Sequence, residues 1–327
     1  MGFKLSKPYS SLYDEFLEYE KSRVSKQGFD TIKKNVLLVF KWFESENILL
    51  SEASVQDALA FRQAENERVK KDGKPLSAGT VINRLKAAKS LFSYLLGSEK
   101  IKSNPFAEID NPRSPDYLSR NVLTEAQMGR LLDELAKFDT IENERLMLRR
   151  YRVHVIAECL YASGLRITEA ALITEKNIDM AQRLIYVKDG KWNKSRMAFL
   201  TGYAADVLKI YFSKTRSKVL GTYQRGCENT AFGTHPQRLM AVVNSELKDV
   251  CKKLELPEIS SHGFRYSLGT HLLRKGCDMR YIQVILGHES LATTQVYTRV
   301  NTDEVKKTID DFHPRSDVDK VDKNKNE

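Results

Sequence analysis

Apolar residues recur every three or four positions through most of the chain, which is the spacing of a helix with one buried face. Residues 7–103 contain four such segments. The fourth begins at Ser77, after Pro75, and its inward positions are Val81, Leu85, Ala88, Phe92 and Leu95. The pattern therefore predicts a small N-terminal domain of four helices, over residues 1–108.

The helical period stops between residues 103 and 122, where three prolines and two Asn-Pro pairs occur. Such a stretch is typical of a linker, which we place at residues 109–121. A new helix then opens with the capping box Thr124 to Gln127. We therefore expect a second domain over residues 122–312.

The second domain mixes helical periodicity with one alternating segment. A long helix is expected to stop at Gly164, and residues 183–200 alternate around Asp189-Gly190, which predicts a β-hairpin. Helical patterns follow over residues 201–214, 237–254, 261–275, 278–286, 290–298 and 302–312. The charged, apolar-poor residues 313–327 are predicted to be a disordered tail. The predicted fold class is mainly α: a small helical domain and a larger, mostly helical domain with a small β element.

The charge of the chain favours a polyanionic partner. Lys and Arg number 53 against 43 Asp and Glu, giving a net charge of +10, and nucleic acid is the first candidate for such an excess. Residues 70–102 hold eight basic residues against two acidic ones. This stretch is either a solvated helix face or a surface that follows DNA phosphates. The candidate DNA-binding residues in it are Lys70, Lys71, Lys74, Arg84, Lys86 and Lys89.

Several classes of protein are disfavoured. No apolar run approaches the roughly 18–20 residues of a membrane span, and the N-terminus has no apolar signal core, so we expect a cytoplasmic protein without a membrane segment. Four cysteines without CxxC pairing fit a reducing compartment, with neither disulfides nor a zinc site. There is no P-loop, no GxGxxG, no HExxH and no acidic metal cluster. We therefore expect no metal and no other cofactor.

The segment "SSHGFRYSLGTHLLRKG" (260–276) opens a helix with His262 and Arg265, with Ser261 as a plausible N-cap. An arginine beside the unpaired N–H groups of a helix N-terminus forms a phosphate site. A surface turn with incidental charges is the alternative for these two residues. His271, nine residues from His262, is expected to be a structural histidine of the core.

Other candidates have an ordinary explanation when taken singly: a capped turn, a hairpin lysine or a packed tyrosine. Arg166 follows Gly164, and Glu169 comes one turn later, placed to orient a guanidinium. Lys191 lies at the hairpin tip. His288 follows a glycine, and Tyr297 lies on the short predicted helix beyond it.

Together these segments resemble the ordered signature of the tyrosine recombinases, in particular the Xer-type and phage-integrase branch. The matching motifs are "GLRITE", "GKWNK", "HGFR", "LGHES" and "TTQVYTRV", and the resemblance runs from about residue 7 to 312. Trp192, Phe264 and Tyr266 depart from the usual residues. The resemblance implies a SAM-like core-binding domain that clamps DNA, followed by the catalytic domain.

The resemblance also implies a chemistry. Tyr297 attacks a DNA phosphodiester, forming a 3′-phosphotyrosine and freeing a 5′-hydroxyl, while Arg166 and Arg265 stabilise the charge on the phosphate. His262 assists as general base, and Lys191 protonates the leaving oxygen. The remaining two residues support them: His288 hydrogen-bonds the phosphate or the tyrosine oxygen, and Glu169 supports an arginine.

Strand exchange needs two double-stranded DNA sites and four active sites, so the family's tetramer on DNA is implied. The predicted 302–312 helix could pack on its own domain or dock on a neighbour, and the second is favoured. A type IB topoisomerase shares this chemistry but would not need the four-helix N-terminal domain. The other alternative is a catalytically silent DNA-binding regulator of the same fold, yet no signature residue is missing from the chain.

Overall fold

The structure is a computed structural model that describes residues 5–24, 26–70, 72–112, 122–188, 195–223, 229–287 and 302–316. By its internal contacts the chain divides into two compact units, Met1–Ser119 and Arg120–Glu327. Each unit has its own hydrophobic core. Over the described ranges no helix combines the length and the apolar character that crossing a membrane requires. The mostly helical architecture with one small antiparallel sheet confirms the predicted fold class.

The first unit contains the four predicted helices: α1 (Lys7–Lys21), α2 (Lys26–Ser45), α3 (Val55–Glu67) and α4 (Ala78–Gly97). Ser54 and Asp57 form a capping box at the start of α3, and the Ser77 side chain accepts the Thr80 N–H at the start of α4. Helix α3 ends at Glu67. Val69 pairs with Pro75 across a turn in which Gly73 has φ +76°, so the chain reverses there.

The core of the first unit is aromatic. All five predicted inward residues of α4 are buried. Four fully buried rings, with neighbouring centroids 5.1–6.5 Å apart, join α2, α3 and α4 to the segment that follows them: Phe43, Phe61, Phe92 and Phe106. Such aromatic pairs contribute about 0.5–1.5 kcal/mol each beyond the area they bury. The unit is therefore held by interlocking rings.

The second unit holds the other helices and the sheet. Its first helices are α5 (Glu125–Leu135), α6 (Glu144–Ser163) and α7 (Ile167–Leu172), and the sheet consists of β1 (Ile178–Asp179), β2 (Leu184–Lys188) and β3 (Ser195–Phe199). The later helices are α8 (Gly202–Ile210), α9 (Arg216–Tyr223), α10 (Pro236–Lys253), α11 (Ser261–Arg274), α12 (Met279–Leu286) and α13 (Thr302–Phe312). The capping box predicted from Thr124 to Gln127 is present at the start of α5.

The predicted hairpin is part of a three-stranded antiparallel sheet in the order β1-β2-β3. Strands β2 and β3 pair from Leu184 opposite Phe199 to Lys188 opposite Ser195. Strand β1 was not predicted, because two residues are too short to show an alternating pattern.

Helix α6 forms the centre of the second core and is buried on every side over residues 151–163. It ends at Gly164, which adopts φ +61°. A Cβ at Gly164 would lie 2.8 Å from Leu286 Cδ2, so α12 approaches the end of α6 too closely for a side chain. His271 of α11 is a core histidine, as predicted: Nε2–H donates to the Leu123 carbonyl, and Nδ1 accepts the Tyr161 hydroxyl, both at 2.8 Å.

Helix α13 packs on its own unit. Val305 and Ile309 are buried in the core of the second unit, and Asp310 accepts a two-pronged hydrogen bond from Arg183 at 2.7 and 2.8 Å. In the single chain the apolar face of this helix is therefore covered by its own unit, and docking of the helix on a neighbour stays a prediction.

Residues 313–316 are packed, so their assignment to a disordered tail is wrong. His313 Nε2–H donates to the Tyr161 carbonyl at 3.2 Å. Arg315 forms ion pairs with Glu158 at 2.9 Å and Asp133 at 3.2 Å. The prediction failed because these residues were grouped with the charged segment that follows them, and their partners are distant in sequence.

Candidate active site

Arg166 and Glu169 are coupled at the start of α7. Arg166 is the N-cap residue, with extended backbone. The Glu169 carboxylate accepts the Arg166 backbone N–H through Oε2 at 2.8 Å and Arg166 Nη1 through Oε1 at 2.7 Å. Glu169 therefore caps the helix and orients the guanidinium, as its spacing predicted. The Arg166 side chain remains 42% exposed, so it can reach an external anion.

Arg265 reaches the same part of the fold from α11. The N-cap of this helix is Ser260 rather than Ser261, whose backbone N–H donates instead to Asn244 Oδ1 at 2.8 Å. Arg265 is buried, and its Nη1 donates to the Gly164 carbonyl at 2.5 Å. His262, one turn earlier, is exposed. The two predicted arginines are thus anchored to one short segment, Gly164–Glu169.

Arg196 of β3 is a further member of this site that the sequence analysis missed. Its Nη2 donates to Glu169 Oε2 at 2.7 Å. Its side-chain stem lies against Gly287, where a Cβ would be only 2.6 Å from Arg196 Cδ. The available signal was a charged residue within a half-buried strand, in "NKSRMAFL". We refer to Arg166, Glu169, Arg196 and Arg265 as the arginine site.

The arginine site carries excess positive charge. Burial by itself would raise the pKa of Glu169, but the charge and hydrogen bond of Arg196, together with the hydrogen bonds from Arg166, hold that pKa below its ordinary value. The carboxylate therefore stays ionised at neutral pH. Three guanidiniums and one carboxylate leave two positive charges, which suits a bound phosphate.

Three predicted catalytic residues, Lys191, His288 and Tyr297, lie outside the described residues. The chain on either side of them is described. Strands β2 and β3 flank the segment that contains Lys191, and Gly287 immediately precedes His288. Arg196 is a residue of β3, and its side chain lies against Gly287. The last described residue before His288 and the first described residues after Lys191 are therefore both next to the arginine site.

The predicted DNA-binding residues differ in their surroundings. Lys70, Lys74 and Lys86 are exposed, Lys89 is partly buried, and Lys71 lies outside the described residues. Arg84 is engaged within its own unit, since it forms an ion pair with Glu65, a fully buried carboxylate that also binds Arg68 at 3.1 Å. Arg84 therefore already has a structural role inside the first unit, and only 12% of its side chain is exposed.

Metal ligands do not cluster in the part of the chain that the structure describes: no three or more His, Cys, Asp or Glu side chains there are placed to hold an ion.

Comparison of the sequence with known proteins identifies the family to which the chain is similar. The sequence profile of the phage integrase family matches residues 121–304. Tyrosine recombinase XerD of Vibrio vulnificus is 28% identical over 288 residues, which are 87% of this chain and 88% of that protein. Tyrosine recombinase XerC of Herpetosiphon aurantiacus is 31% identical over 259 residues, 79% of each chain.

A solved structure agrees with the fold. The XerH site-specific recombinase bound to difH substrate, in a pre-cleavage complex, superposes with a TM-score of 0.62 at 17% identity. The match covers 95% of this chain and 99% of that one. At this identity the likeness supports the fold alone.

Proposed function

Given that the chain belongs to the phage integrase family, as a tyrosine recombinase of the Xer type, we propose that it cleaves and rejoins DNA strands at a specific site through a covalent 3′-phosphotyrosine. The observation that carries this proposal is the anchoring of Arg166 and Arg265 to one segment, Gly164–Glu169. Two guanidiniums fixed at one place suit the charge that develops on a phosphodiester under attack.

Arg166 and Arg265 stabilise the non-bridging oxygens of the five-coordinate transition state. A guanidinium is permanently charged and planar, so it can donate two parallel hydrogen bonds to a phosphate. Both side chains are held before DNA arrives, by Glu169 and by the Gly164 carbonyl. Little reorganisation is then needed during the reaction, which is what makes such donors effective.

The proton transfers fall to other residues. Tyr297 is the nucleophile, and His262 accepts its proton, because a phenol with a pKa of about 10 attacks poorly until it is deprotonated. Lys191 protonates the departing 5′-oxygen, and His288 hydrogen-bonds the phosphate or the tyrosine oxygen. The sequence signature supports these assignments, and the exposure of His262 is compatible with contact to DNA.

The phosphotyrosine linkage retains the bond energy of the phosphodiester. A 5′-hydroxyl from a second strand can therefore attack it and restore a phosphodiester, with Tyr297 as the leaving group. We propose that this exchange uses neither ATP nor a metal ion nor any other cofactor.

DNA is bound by both domains in this proposal. The core-binding domain, residues 1–108, places its basic residues along the phosphates, and the catalytic domain, residues 122–312, binds the other side of the duplex. Two DNA sites and four protomers form the active assembly, in the cytoplasm. The solved XerH relative is itself bound to a DNA substrate.

A plasmid assay tests the proposal. Binding sites are first selected from a randomised duplex pool, and two copies are placed on one supercoiled plasmid. Recombination predicts site-dependent deletion or inversion between the copies. Relaxation of a plasmid that lacks the site would indicate a topoisomerase instead. Site binding without any strand cleavage would indicate a catalytically silent regulator.

A further inference from the structure

Arg196 joins three parts of the second unit. It lies on β3 opposite Val187 of β2, its guanidinium contacts Glu169 of α7, and its stem lies against the backbone of Gly287 after α12. The side chain is only 12% exposed. A residue in this place can affect the arginine site without touching DNA.

The two oxygens of Glu169 are divided between the arginines. Oε1 binds Arg166 Nη1, while Oε2 binds the Arg166 backbone and Arg196 Nη2. A carboxylate facing a single guanidinium tends to bind it through two parallel hydrogen bonds. Arg196 and the Arg166 backbone together occupy Oε2. Arg166 is therefore held by one of its guanidinium nitrogens only, and 42% of its side chain is exposed.

Arg196 also changes the charge available to a ligand. Glu169 alone would cancel the charge of Arg166 in this partly buried place. With Arg196 present, the same carboxylate is shared, and the pair of arginines keeps one net positive charge. Screening by water is weakest around Arg196 and Glu169, whose side chains are 12% and 16% exposed.

The contact with Gly287 extends this coupling to the segment that precedes His288. Gly287 has φ +62°, and a Cβ there would lie 2.9 Å from Arg196 Nε as well as 2.6 Å from Cδ. Within the described ranges, Nε and Nη1 of Arg196 are buried and have no hydrogen-bond partner. The side chain is thus fixed by Glu169 at its end and by Gly287 along its stem.

We propose that Arg196 is a positioning residue for DNA cleavage: by sharing Glu169 it keeps the Arg166 guanidinium available to the scissile phosphate. This inference rests on the proposed function. Its distinguishing feature is that Arg196 acts through the charge of Glu169, so its loss should be compensated by removing that charge.

The test uses the full-length protein and a nicked duplex that carries the selected site, at saturating protein, so that the rate of covalent adduct formation is separated from binding. Arg196→Met should slow adduct formation by about 10- to 100-fold, by analogy with the loss of residues that orient metal ligands. Its DNA affinity should stay within about three-fold of the parent, since phosphate contacts elsewhere supply most of the affinity. If Arg196→Met is about 30-fold slower than the parent, the double variant with Glu169→Gln should form adduct at least about ten-fold faster than Arg196→Met alone. The reason is that a neutral amide cannot cancel the charge of Arg166.

The pH dependence of the cleavage rate distinguishes a charge effect of Arg196 from a purely structural one. Without Arg196, the pKa of Glu169 should rise, so the carboxyl becomes neutral as the pH falls. The rate deficit of Arg196→Met against the parent should therefore shrink from pH 7 to pH 5. A deficit caused by loosened packing would be unchanged or larger at pH 5.

Arg149→Met is the matched control. Glu246 also lies between two arginines, Arg149 at 3.1 Å and Arg150, and Arg149 is about 22 Å along α6 from Gly164. This variant should cleave at the parental rate. If Arg196→Met shows no cooperative thermal transition, Arg196→Gln replaces it in the same scheme, with the same expected outcomes.

The results separate the two proposals. A parental cleavage rate for Arg196→Met overturns the role of Arg196 and leaves the proposed function intact. A slow variant that Glu169→Gln does not restore also overturns it, because Arg196 would then act on DNA directly or through packing. Failure of the parent itself to form any adduct overturns the proposed function, and this inference with it.

Discussion

Arg265 donates a hydrogen bond from Nη1 to the backbone carbonyl of Gly164 at 2.5 Å. The carbonyl belongs to the left-handed residue that ends α6, and Arg166 follows two residues later. The bond therefore ties the helix that carries His262 and Arg265 to the start of α7. The position of Arg265 in the arginine site therefore depends on the conformation of this one glycine.

Gly164→Ala should destabilise the second unit by about 1–3 kcal/mol, through the strain of a positive φ and the contact of its Cβ with Leu286. It should also slow cleavage, because the carbonyl that holds Arg265 would move. Chemical denaturation measures the first effect and adduct formation the second. Gly129→Ala is the control: a Cβ at Gly129 meets nothing within 4 Å, so no loss of stability is expected there.

Arg166→Ala and Arg265→Ala should each reduce transition-state stabilisation by about 3 kcal/mol or more, by analogy with the loss of an oxyanion donor. The rate of adduct formation on a nicked duplex at saturating protein measures this directly. Rates within a few-fold of the parent would exclude the role. Arg183→Ala removes an arginine that pairs with Asp310 rather than with the site, and it should cleave normally.

Arg315→Met should cost about 3–5 kcal/mol, because it leaves the buried Glu158 carboxylate without its partner. Burial raises the pKa of Glu158 to about 7, against the opposing charge of Arg315. A carboxyl whose folded pKa lies above its unfolded pKa loses stability as the pH rises between the two. Without Arg315 the folded pKa rises further, so the stability gap between variant and parent should widen from pH 7 to pH 9.

Thermal or chemical denaturation at several pH values checks this widening. Adding Glu158→Gln to Arg315→Met should abolish it, since no carboxyl is then left to ionise. A gap that stays constant between pH 6 and pH 9 would show that Glu158 does not titrate in this range.

Lys86→Gln should weaken DNA binding and flatten the log–log dependence of affinity on salt by about 0.9 if the lysine contacts one phosphate. Arg84→Gln should instead destabilise the first unit, because it deprives the fully buried Glu65 of a partner. Salt titrations and denaturation curves of both variants distinguish the two roles. An unchanged salt slope for Lys86→Gln would make that surface a merely solvated one.

Local patterns predicted what depends on local physics. The inward positions of α4 follow from helical spacing, and the cap at Thr124 follows from its own side chain and that of Gln127. His271 was also predicted correctly, because its phase on α11 placed it away from His262. Each of these inferences needed only residues within about one helix.

Contacts between distant segments were not predictable in this way. Arg196 meets Glu169 27 residues earlier, and Arg315 meets Glu158 from the far end of the unit. In the sequence, both arginines looked like ordinary charges beside a hairpin or a tail. Arg84 was interpreted as part of a DNA-binding surface because its partner Glu65 lies on another helix.

The most direct test of the account traps the protein on a nicked duplex carrying its selected site and maps the covalent linkage by mass spectrometry. The account predicts one DNA-linked peptide, containing Tyr297 joined to a 3′-phosphate, and a free 5′-hydroxyl on the released strand. Tyr297→Phe should give no adduct while binding the same duplex with nearly parental affinity, because only the attacking oxygen is lost. An adduct on another residue, or one that persists in Tyr297→Phe, would contradict the account.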